Sequence, residues 1–167
     1  NPLIRDTLLR LLTGDHFRLE RGRAEDLLDA IKDWLDPNDE VTGGGAESAY
    51  YSGLPRPYRA KNAALDCIEE LLMVKGVTRE LFYGTGESPG LAQCLTVYGD
   101  GKVNLNTTPL PVLMALAEGM TPELVKELDA YRRDEGHDLA DVNWYQKLQR
   151  PTGLNMPTIL LTVRSEI

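Results

Sequence analysis

The stretch VKGVTRELF at residues 74–82 has the same pattern as AEGMTPELV at residues 117–125, namely Gly-apolar-Thr-x-Glu-Leu-apolar. In each copy the glycine can adopt a positive φ angle and end one helix, and the threonine can cap the next helix. Pro122 at a first helical position and Glu123 near the positive end of that helix strengthen the second copy. An apolar helical pattern that begins with an asparagine precedes each copy, from Asn62 and from Asn106. The repeat therefore predicts two helix-hairpin units of one ancestral kind.

The rest of the chain is predicted to be mostly helical. Apolar residues at helical spacing predict helices at residues 3–12, 24–35, 62–74, 78 onward, 110–116 and 124–131. Asn62 is the predicted N-cap of the third of these helices. β-forming residues on both sides of Gly99-Asp100-Gly101 predict a β-hairpin within residues 91–105, and the β-branched run at 158–163 predicts a buried strand. The predicted class is mainly α with a small β component (α+β).

The composition is that of a globular protein with an acidic surface. The 167 residues include 18 Lys and Arg against 26 Asp and Glu, which gives a net charge of −8. This balance argues against a nucleic-acid-binding surface, which is normally basic. No apolar run approaches the roughly 18 residues that span a bilayer, and because the chain opens with Asn1 and not Met, we expect a processed or truncated fragment. Cys67 and Cys94 lack zinc-site spacing, and a disulfide between them stays open.

The loop after the second predicted helix has the ligand spacing of a calcium-binding loop. If Asp36 is position one, then Asn38, Glu40, Thr42 and Glu47 stand at positions three, five, seven and twelve. An EF-hand loop has oxygen-bearing side chains at these positions and ends on a bidentate glutamate. The sequence therefore predicts a cation site in this loop.

The match to an EF-hand is incomplete. Val41 stands at position six, where an EF-hand has glycine, the glycines come later, at residues 43–45, and no clear helix is predicted after Glu47. Asp33 and Asp39 are further carboxylates near the loop. The residues alone leave two interpretations open: a calcium loop that is not an EF-hand, or a solvated acidic turn.

Two other function classes have less support. Helix-hairpin DNA-binding modules bind phosphate through backbone amides at a Gly-apolar-Gly turn, but here Thr78 and Thr121 replace the second glycine and the second hairpin is net negative. His16 and His137 are isolated, and the catalytic motifs of hydrolases, P-loop enzymes and zinc proteases do not occur. We therefore predict a protein that is not an enzyme.

Several separate motifs occur in a defined order along the chain. They are Asp33-Trp34-Leu35-Asp36, then Gly44-Gly45-Ala46-Glu47 and Tyr50-Tyr51, then Pro57-Tyr58 with Asn62 and Glu70-Leu71, and last the run from Gly101 to Thr107. In order and spacing they resemble the type II secretion minor pseudopilin K family, over about residues 24–135.

The resemblance implies a pseudopilin core that carries a large helical insertion. We then expect a helical domain at residues 1–155 and a strand of a pseudopilin-type antiparallel sheet at residues 156–167. Within the helical domain we expect helices and the calcium loop at 1–61, helix-hairpin units at 62–90 and 106–155, and the β-hairpin at 91–105.

The resemblance also implies calcium in the loop that begins at Asp36. The first candidates for ligands are Asp36, Asn38 and Glu47, and the weaker ones are Asp33, Asp39 and Glu40. Members of the family are non-catalytic tip subunits in the periplasm, anchored in the inner membrane by an N-terminal helix, and they assemble with minor pseudopilins I and J to support protein export. The alternatives are a helix-hairpin nucleic-acid-binding module and a module that binds exported protein substrate at an exposed apolar groove near residues 50–58.

Overall fold

The computed structural model of the chain describes residues 1–86, 88–148 and 156–163. It divides into two compact units. One unit, here called the discontinuous unit, combines Asn1–Gly14 with Tyr98–Ile167, and the other, the continuous unit, is Asp15–Val97. The expected domains, 1–155 and 156–167, do not coincide with these units, because the chain leaves the first unit after Gly14 and returns to it at Tyr98. Residues 149–155 and 164–167, which belong to the predicted second hairpin and terminal strand, lie outside the described residues.

Short helices make up most of the ordered structure. The α-helices are α1 (Pro2–Thr13), α2 (Arg21–Leu35), α3 (Ser48–Ser52), α4 (Arg79–Tyr83), α5 (Leu91–Cys94), α6 (Leu110–Ala115) and α7 (Pro122–Arg133). The strands are β1 (Gly84–Thr85), β2 (Ser88–Pro89), β3 (Val103–Asn104) and β4 (Leu161–Thr162), and 3₁₀ helices cover Ile68–Met73, Trp144–Lys147 and Thr158–Leu160. The mainly α prediction is confirmed, and so are the helices predicted at 3–12, 24–35, 110–116 and 124–131, within a few residues at their ends.

The discontinuous unit encloses one apolar core. Leu105, Leu113, Leu128 and Trp144 are completely buried in it. Arg10 joins α1 to α6, because its Nε donates to the carbonyl of Ala115 at 2.7 Å. The last carbonyls of a helix have no partner within the helix, so this bond satisfies one of them.

The β-hairpin predicted within residues 91–105 is wrong. Residues 91–94 form α5, residues 95–98 are outside any strand, and β3 pairs in parallel with the distant β4. The local turn signal is real, because Gly99 and Gly101 both have positive φ angles. However, Leu105 and Leu161 are buried in the same core, and this long-range burial brings β3 to β4. The terminal strand predicted at residues 158–163 is present only at β4, since Thr158–Leu160 is a 3₁₀ helix. The expectation that it belongs to an antiparallel sheet is wrong, because β4 pairs with β3 in parallel.

Both turns of the internal repeat have the predicted geometry. Gly76 has a φ angle of +88° and Gly119 one of +78°. The hydroxyls of Thr78 and Thr121 accept the N–H of the residue three positions later, at 3.1 and 3.2 Å. These are N-caps that satisfy a donor at the start of α4 and of α7.

The helix predicted over residues 62–74 is much shorter than expected. Only Ile68–Met73 is helical, as a 3₁₀ turn, and Asn62 has a φ angle of +50°, which is not the conformation of an N-cap. The carboxylate of Glu70 accepts the N–H groups of Asp66 and Cys67 at 2.7 and 3.3 Å. Because a side chain satisfies these donors, the backbone before Ile68 does not need to be helical.

Aromatic rings fill the core of the continuous unit. The ring of Tyr51 stacks on that of Tyr58 and meets that of Trp34 edge-on, with 5.2 Å between ring centroids in both pairs. Trp34 and Tyr51 are buried and Tyr58 is half-buried. The rings of Tyr51 and Tyr58 therefore do not line the exposed apolar groove that the substrate-binding alternative requires near residues 50–58. Tyr50 itself is exposed.

Two further observations concern the possible Cys67–Cys94 disulfide and the presence of a membrane-spanning helix. Cys67 and Cys94 are both free, and burial raises the pKa of the Cys94 thiol to about 11. Of the helices in the described part of the chain, none combines the length and the apolar character that crossing a membrane requires.

Candidate metal centre

Three aspartates of α2 lie beneath the glycine run at residues 43–45. Asp26, Asp29 and Asp33 are three and four residues apart, which places them on one face of the helix. A Cβ atom added at any of the three glycines would overlap one of these three carboxylates. The N–H of Gly44 donates to Asp29 Oδ2 at 3.2 Å. Glycine is therefore needed at these positions, because it lets the loop backbone approach the acidic side chains closely. Asp26 and Asp29 were not among the ligands predicted from the sequence.

Asp33 holds the loop to α2 from inside the protein. Its side chain is completely buried, and both of its carboxylate oxygens lie 3.1 Å from the N–H of Thr42. On the exposed side, Lys32 Nζ donates to Thr42 Oγ1 at 2.7 Å. Each carboxylate oxygen can accept more than one bond, so Asp33 retains acceptor capacity.

Asp36 and Asn38, two of the first candidates, form a turn at the end of α2. Asp36 Oδ1 accepts from Asn38 Nδ2 at 2.7 Å, and Asn38 Oδ1 accepts the N–H of Glu40 at 2.7 Å. Asp36 is half-buried, whereas Asn38 and Glu40 are exposed. Side-chain bonds of this kind are typical of a polar turn. Glu40 takes part in this turn only through its backbone N–H, and because it is exposed it has the least support of the predicted ligands.

Glu47 has unusual surroundings for a carboxylate. It is 1% exposed, and neither Oε1 nor Oε2 has a hydrogen-bond partner. Burial raises its pKa, and the negative charges of Asp33, Asp36 and Asp39 raise it further. Buried polar groups normally have hydrogen-bond partners. The two oxygens of Glu47 have none, and the neighbouring aspartates repel their negative charge. A bound cation is the simplest partner that would relieve both conditions.

Asn62 contributes a second unpartnered oxygen near this loop. Its Nδ2 donates to the carbonyl of Asn38 at 2.9 Å and to Asp39 Oδ1 at 3.3 Å, while its buried Oδ1 has no partner. A hydrogen bond from Ser48, the neighbour of Glu47, and a second from Asn62 lower the pKa of Asp39. Asn62 was predicted to cap a helix and not to bind a metal. The sequence signal that could have placed Asn62 beside this loop is its position among the ordered motifs, after Pro57-Tyr58.

The unpartnered donors near the loop are oxygens, which suit calcium and not zinc. Over residues 1–86, 88–148 and 156–163, no three His, Cys, Asp or Glu side chains already converge as metal ligands. The oxygens without partners belong instead to one carboxylate and one amide, those of Glu47 and Asn62. Calcium accepts carboxylate, amide and backbone carbonyl oxygens in variable geometry, whereas structural zinc sites use Cys and His. The residues present therefore fit calcium.

The rings of the two histidines form hydrogen bonds with backbone carbonyl oxygens. His16 Nε2 lies 2.6 Å from the carbonyl oxygen of Pro89, beside a polar cleft of about 270 Å³ in the continuous unit. His137 Nδ1 lies 3.0 Å from the carbonyl oxygen of Tyr131, and its ring stacks on the Tyr131 ring with centroids 3.7 Å apart. Each histidine therefore has a structural contact that accounts for its position.

Two sequence models of one family match the chain. Both are described as type II secretion system (T2SS), protein K, and they match residues 3–84 and residues 103–164. The two matches follow one another along the chain and together cover most of it.

Curated relatives carry the same name. The type II secretion system protein K of Pectobacterium carotovorum subsp. carotovorum is 30% identical over 151 residues, which are 88% of this chain and 45% of that protein. The type II secretion system protein K of Aeromonas hydrophila is 42% identical over 65 residues, which are 38% of this chain and 20% of that protein. The chain thus spans less than half the length of these relatives.

A solved structure has a similar fold. A chain in the crystal structure of the GspK-GspI-GspJ complex from the enterotoxigenic Escherichia coli type 2 secretion system aligns with a TM-score of 0.65 and 19% identity. The alignment covers 96% of this chain and 56% of that one, and it agrees with the predicted α+β class. The ordered sequence matches and the shared fold lead to one conclusion: the chain belongs to the type II secretion system protein K family.

Proposed function

We propose that this chain is part of the periplasmic region of a minor pseudopilin, a non-enzymatic subunit at the tip of the type II secretion pseudopilus. The observation that carries the proposal is the ordered match of two protein K models, at residues 3–84 and 103–164. The similar fold of a chain in the GspK-GspI-GspJ complex supports minor pseudopilins I and J as its partners. The complete protein would be anchored in the inner membrane by an N-terminal helix and would support protein export across the outer membrane.

The proposed role at the tip is steric. The two helix-hairpin units add bulk to a pseudopilin core, and this bulk would prevent a further subunit from adding above the protein. Such a role requires a stable shape and no catalytic group, which agrees with the structural contacts of both histidines.

Assembly is the test of this role. The whole soluble region of the protein should be mixed with the soluble regions of I and J and analysed by size-exclusion chromatography with light scattering, because this chain spans less than half of its relatives. A complex of all three proteins is expected, and each pair serves as the control. If the three proteins elute separately at tens of micromolar, a tip role with I and J is refuted.

A calcium ion in the loop between α2 and α3 is the second part of the proposal. Glu47 would supply its two unpartnered oxygens, and Asn62 would supply its amide oxygen. Asp33 would add carboxylate oxygens from α2, and Asp36, Asn38 and Asp39 are the remaining candidates in the loop. A bound calcium ion would supply positive charge to carboxylates that otherwise repel each other.

The role of these residues would be to fix the loop and so the shape of the continuous unit. Glu47 immediately precedes α3, whose Tyr51 is in the core, so the position of its carboxylate is coupled to packing. Free calcium at a hundred times its dissociation constant would stabilise the fold by about 2.7 kcal/mol. That gain is a large fraction of the stability of a typical domain.

Calcium titration calorimetry tests the site directly. We expect the parent protein to bind calcium, Glu47→Gln to lose most of the affinity, and Glu40→Gln to bind as the parent does. Glu40→Gln is the matched control, because it makes the same chemical change on an exposed side chain of the same loop. Absence of calcium binding by the parent protein would refute the site.

A further inference from the structure

Lys75 contacts the same loop from the first helix-hairpin. Its Nζ donates to the carbonyl oxygens of Gly44 and Gly45, both at 3.0 Å, and lies 5.2 Å from the centroid of the Tyr50 ring. Its backbone N–H donates to Tyr51 Oη at 3.2 Å. Lys75 is half-buried. Its ammonium group and its backbone N–H therefore both form hydrogen bonds with the segment at residues 44–51.

These contacts set the orientation of the peptide groups that lead to Glu47. The carbonyls of Gly44 and Gly45 face the Lys75 ammonium, while the N–H of Gly44 faces Asp29 and the N–H of Gly45 donates to the carbonyl of Thr42 at 2.7 Å. A glycine run has more backbone freedom than any other sequence and needs external contacts to hold one conformation. Charge-assisted hydrogen bonds are the strongest contacts that this run makes.

We infer, on the basis of the calcium site proposed above, that Lys75 is a positioning residue for the calcium loop. Its ammonium fixes the Gly44–Gly45 backbone, and that backbone in turn places Glu47, two residues further on. Lys75 does not bind the metal, because it is itself a cation. It couples the first helix-hairpin to the loop, so that calcium binding and the turn at residues 74–76 depend on each other.

Electrostatics and positioning predict opposite effects when Lys75 is replaced. Removing a positive charge near a cation site lowers repulsion, which by itself would strengthen calcium binding. Loss of an anchor for the glycine run would weaken it. The sign of the change in affinity therefore separates the two roles.

The experiment compares calcium affinity in the parent protein, Lys75→Met and Lys126→Met by titration calorimetry. Lys126→Met removes the same charge from an exposed position in the discontinuous unit and controls for net charge. We expect the dissociation constant to rise about tenfold in Lys75→Met, in the range of a lost charge-assisted hydrogen bond, and to stay within about twofold in Lys126→Met. Lys75→Gln, which keeps one donor without the charge, should fall between the parent and Lys75→Met.

The outcomes separate this inference from the proposed function. If the parent protein binds no calcium, the site and the role of Lys75 both fail. If the parent binds calcium and Lys75→Met binds equally or more tightly, the site stands and the positioning role is overturned.

A second measurement needs no variant and covers the case in which Lys75→Met does not fold. Lysine acetylation of the parent protein, followed by mass spectrometry, should slow several-fold at Lys75 when calcium is added and stay unchanged at Lys126. Equal rates at Lys75 with calcium and with chelator would overturn the inference.

Discussion

Glutamine at position 47 should stabilise the protein when no calcium is present. The Glu47 carboxylate is buried, has no hydrogen-bond partner within the protein and lies near three other negative charges. Glutamine has the same shape and no charge, so Glu47→Gln removes the repulsion without leaving a cavity. Thus the substitution that removes the calcium response should raise the stability of the protein in chelator.

The magnitude follows from the cost of a buried carboxylate without partners. Leaving a buried polar group unsatisfied costs about 1–3 kcal/mol, and more for a charged group. The amide of glutamine is also unpartnered there, so we expect a net gain of about 1–2 kcal/mol at pH 7.5 in chelator. For a chain of this length that gain corresponds to a rise in the unfolding midpoint of about 2–8 °C.

The pH dependence identifies the group responsible. The pKa of Glu47 is raised from its ordinary value of 4.5 in the folded protein. The folded state therefore keeps this proton at pH values where the unfolded chain has lost it, and its contribution to stability declines as pH rises from about 4.5 through the folded-state pKa. The advantage of Glu47→Gln should be near zero below pH 4.5 and should reach its full size above the folded-state pKa.

The assay is thermal unfolding followed by circular dichroism, in chelator and in excess calcium, from pH 4 to pH 8. Glu40→Gln again controls for loss of one negative charge in the loop. Two results would refute the reasoning: a Glu47→Gln protein less stable than the parent in chelator at pH 7.5, or a difference between the two that does not change with pH.

Three further substitutions test other parts of the structure. Gly44→Ala places a Cβ into the Asp26 carboxylate, so calorimetry should show loss of most calcium binding, whereas Gly53→Ala, where a Cβ meets only ordinary contacts, should bind normally. Thr121→Ala removes the N-cap of α7 and should lower the free energy of unfolding in urea by about 1 kcal/mol; no change would show that the cap is dispensable. Leu128→Ala leaves a cavity in the core of the discontinuous unit and should cost about 2–5 kcal/mol in the same assay, with the calcium affinity unchanged; a loss of affinity would contradict the assignment of the site to the continuous unit.

Features that depend on neighbours in sequence were predictable. The glycine at position 76 or 119 and the threonine two residues later determine a helix end and a helix start by local chemistry, and both turns were confirmed. The apolar stripes of α1 and α2 likewise predicted those helices. In the same way, alternate oxygen-bearing side chains after α2 identified the loop that contains Glu47.

Features that depend on distant contacts were not predictable. The pairing of β3 with β4 joins residues 103 and 161, and nothing in the turn at residues 99–101 excludes the hairpin that was predicted. Asparagine is a common N-cap residue, so Asn62 was predicted to begin a helix. Only its contacts with Asn38 and Asp39 show that it packs against the loop. In the sequence the glycine run at residues 43–45 was only a departure from the EF-hand pattern, whereas in the structure it lets the loop backbone pass close over the aspartates of α2.

The order of the two units along the chain has a consequence for the order of folding. Every residue of the continuous unit precedes Tyr98, so this unit can fold before residues 98–167 are available. Helix α1 precedes the continuous unit along the chain but must wait for α6, because the hydrogen bond from Arg10 to Ala115 closes across 105 residues. Until α6 is available, the apolar face of α1 stays uncovered, and a chain at that stage of folding is a natural client for a chaperone.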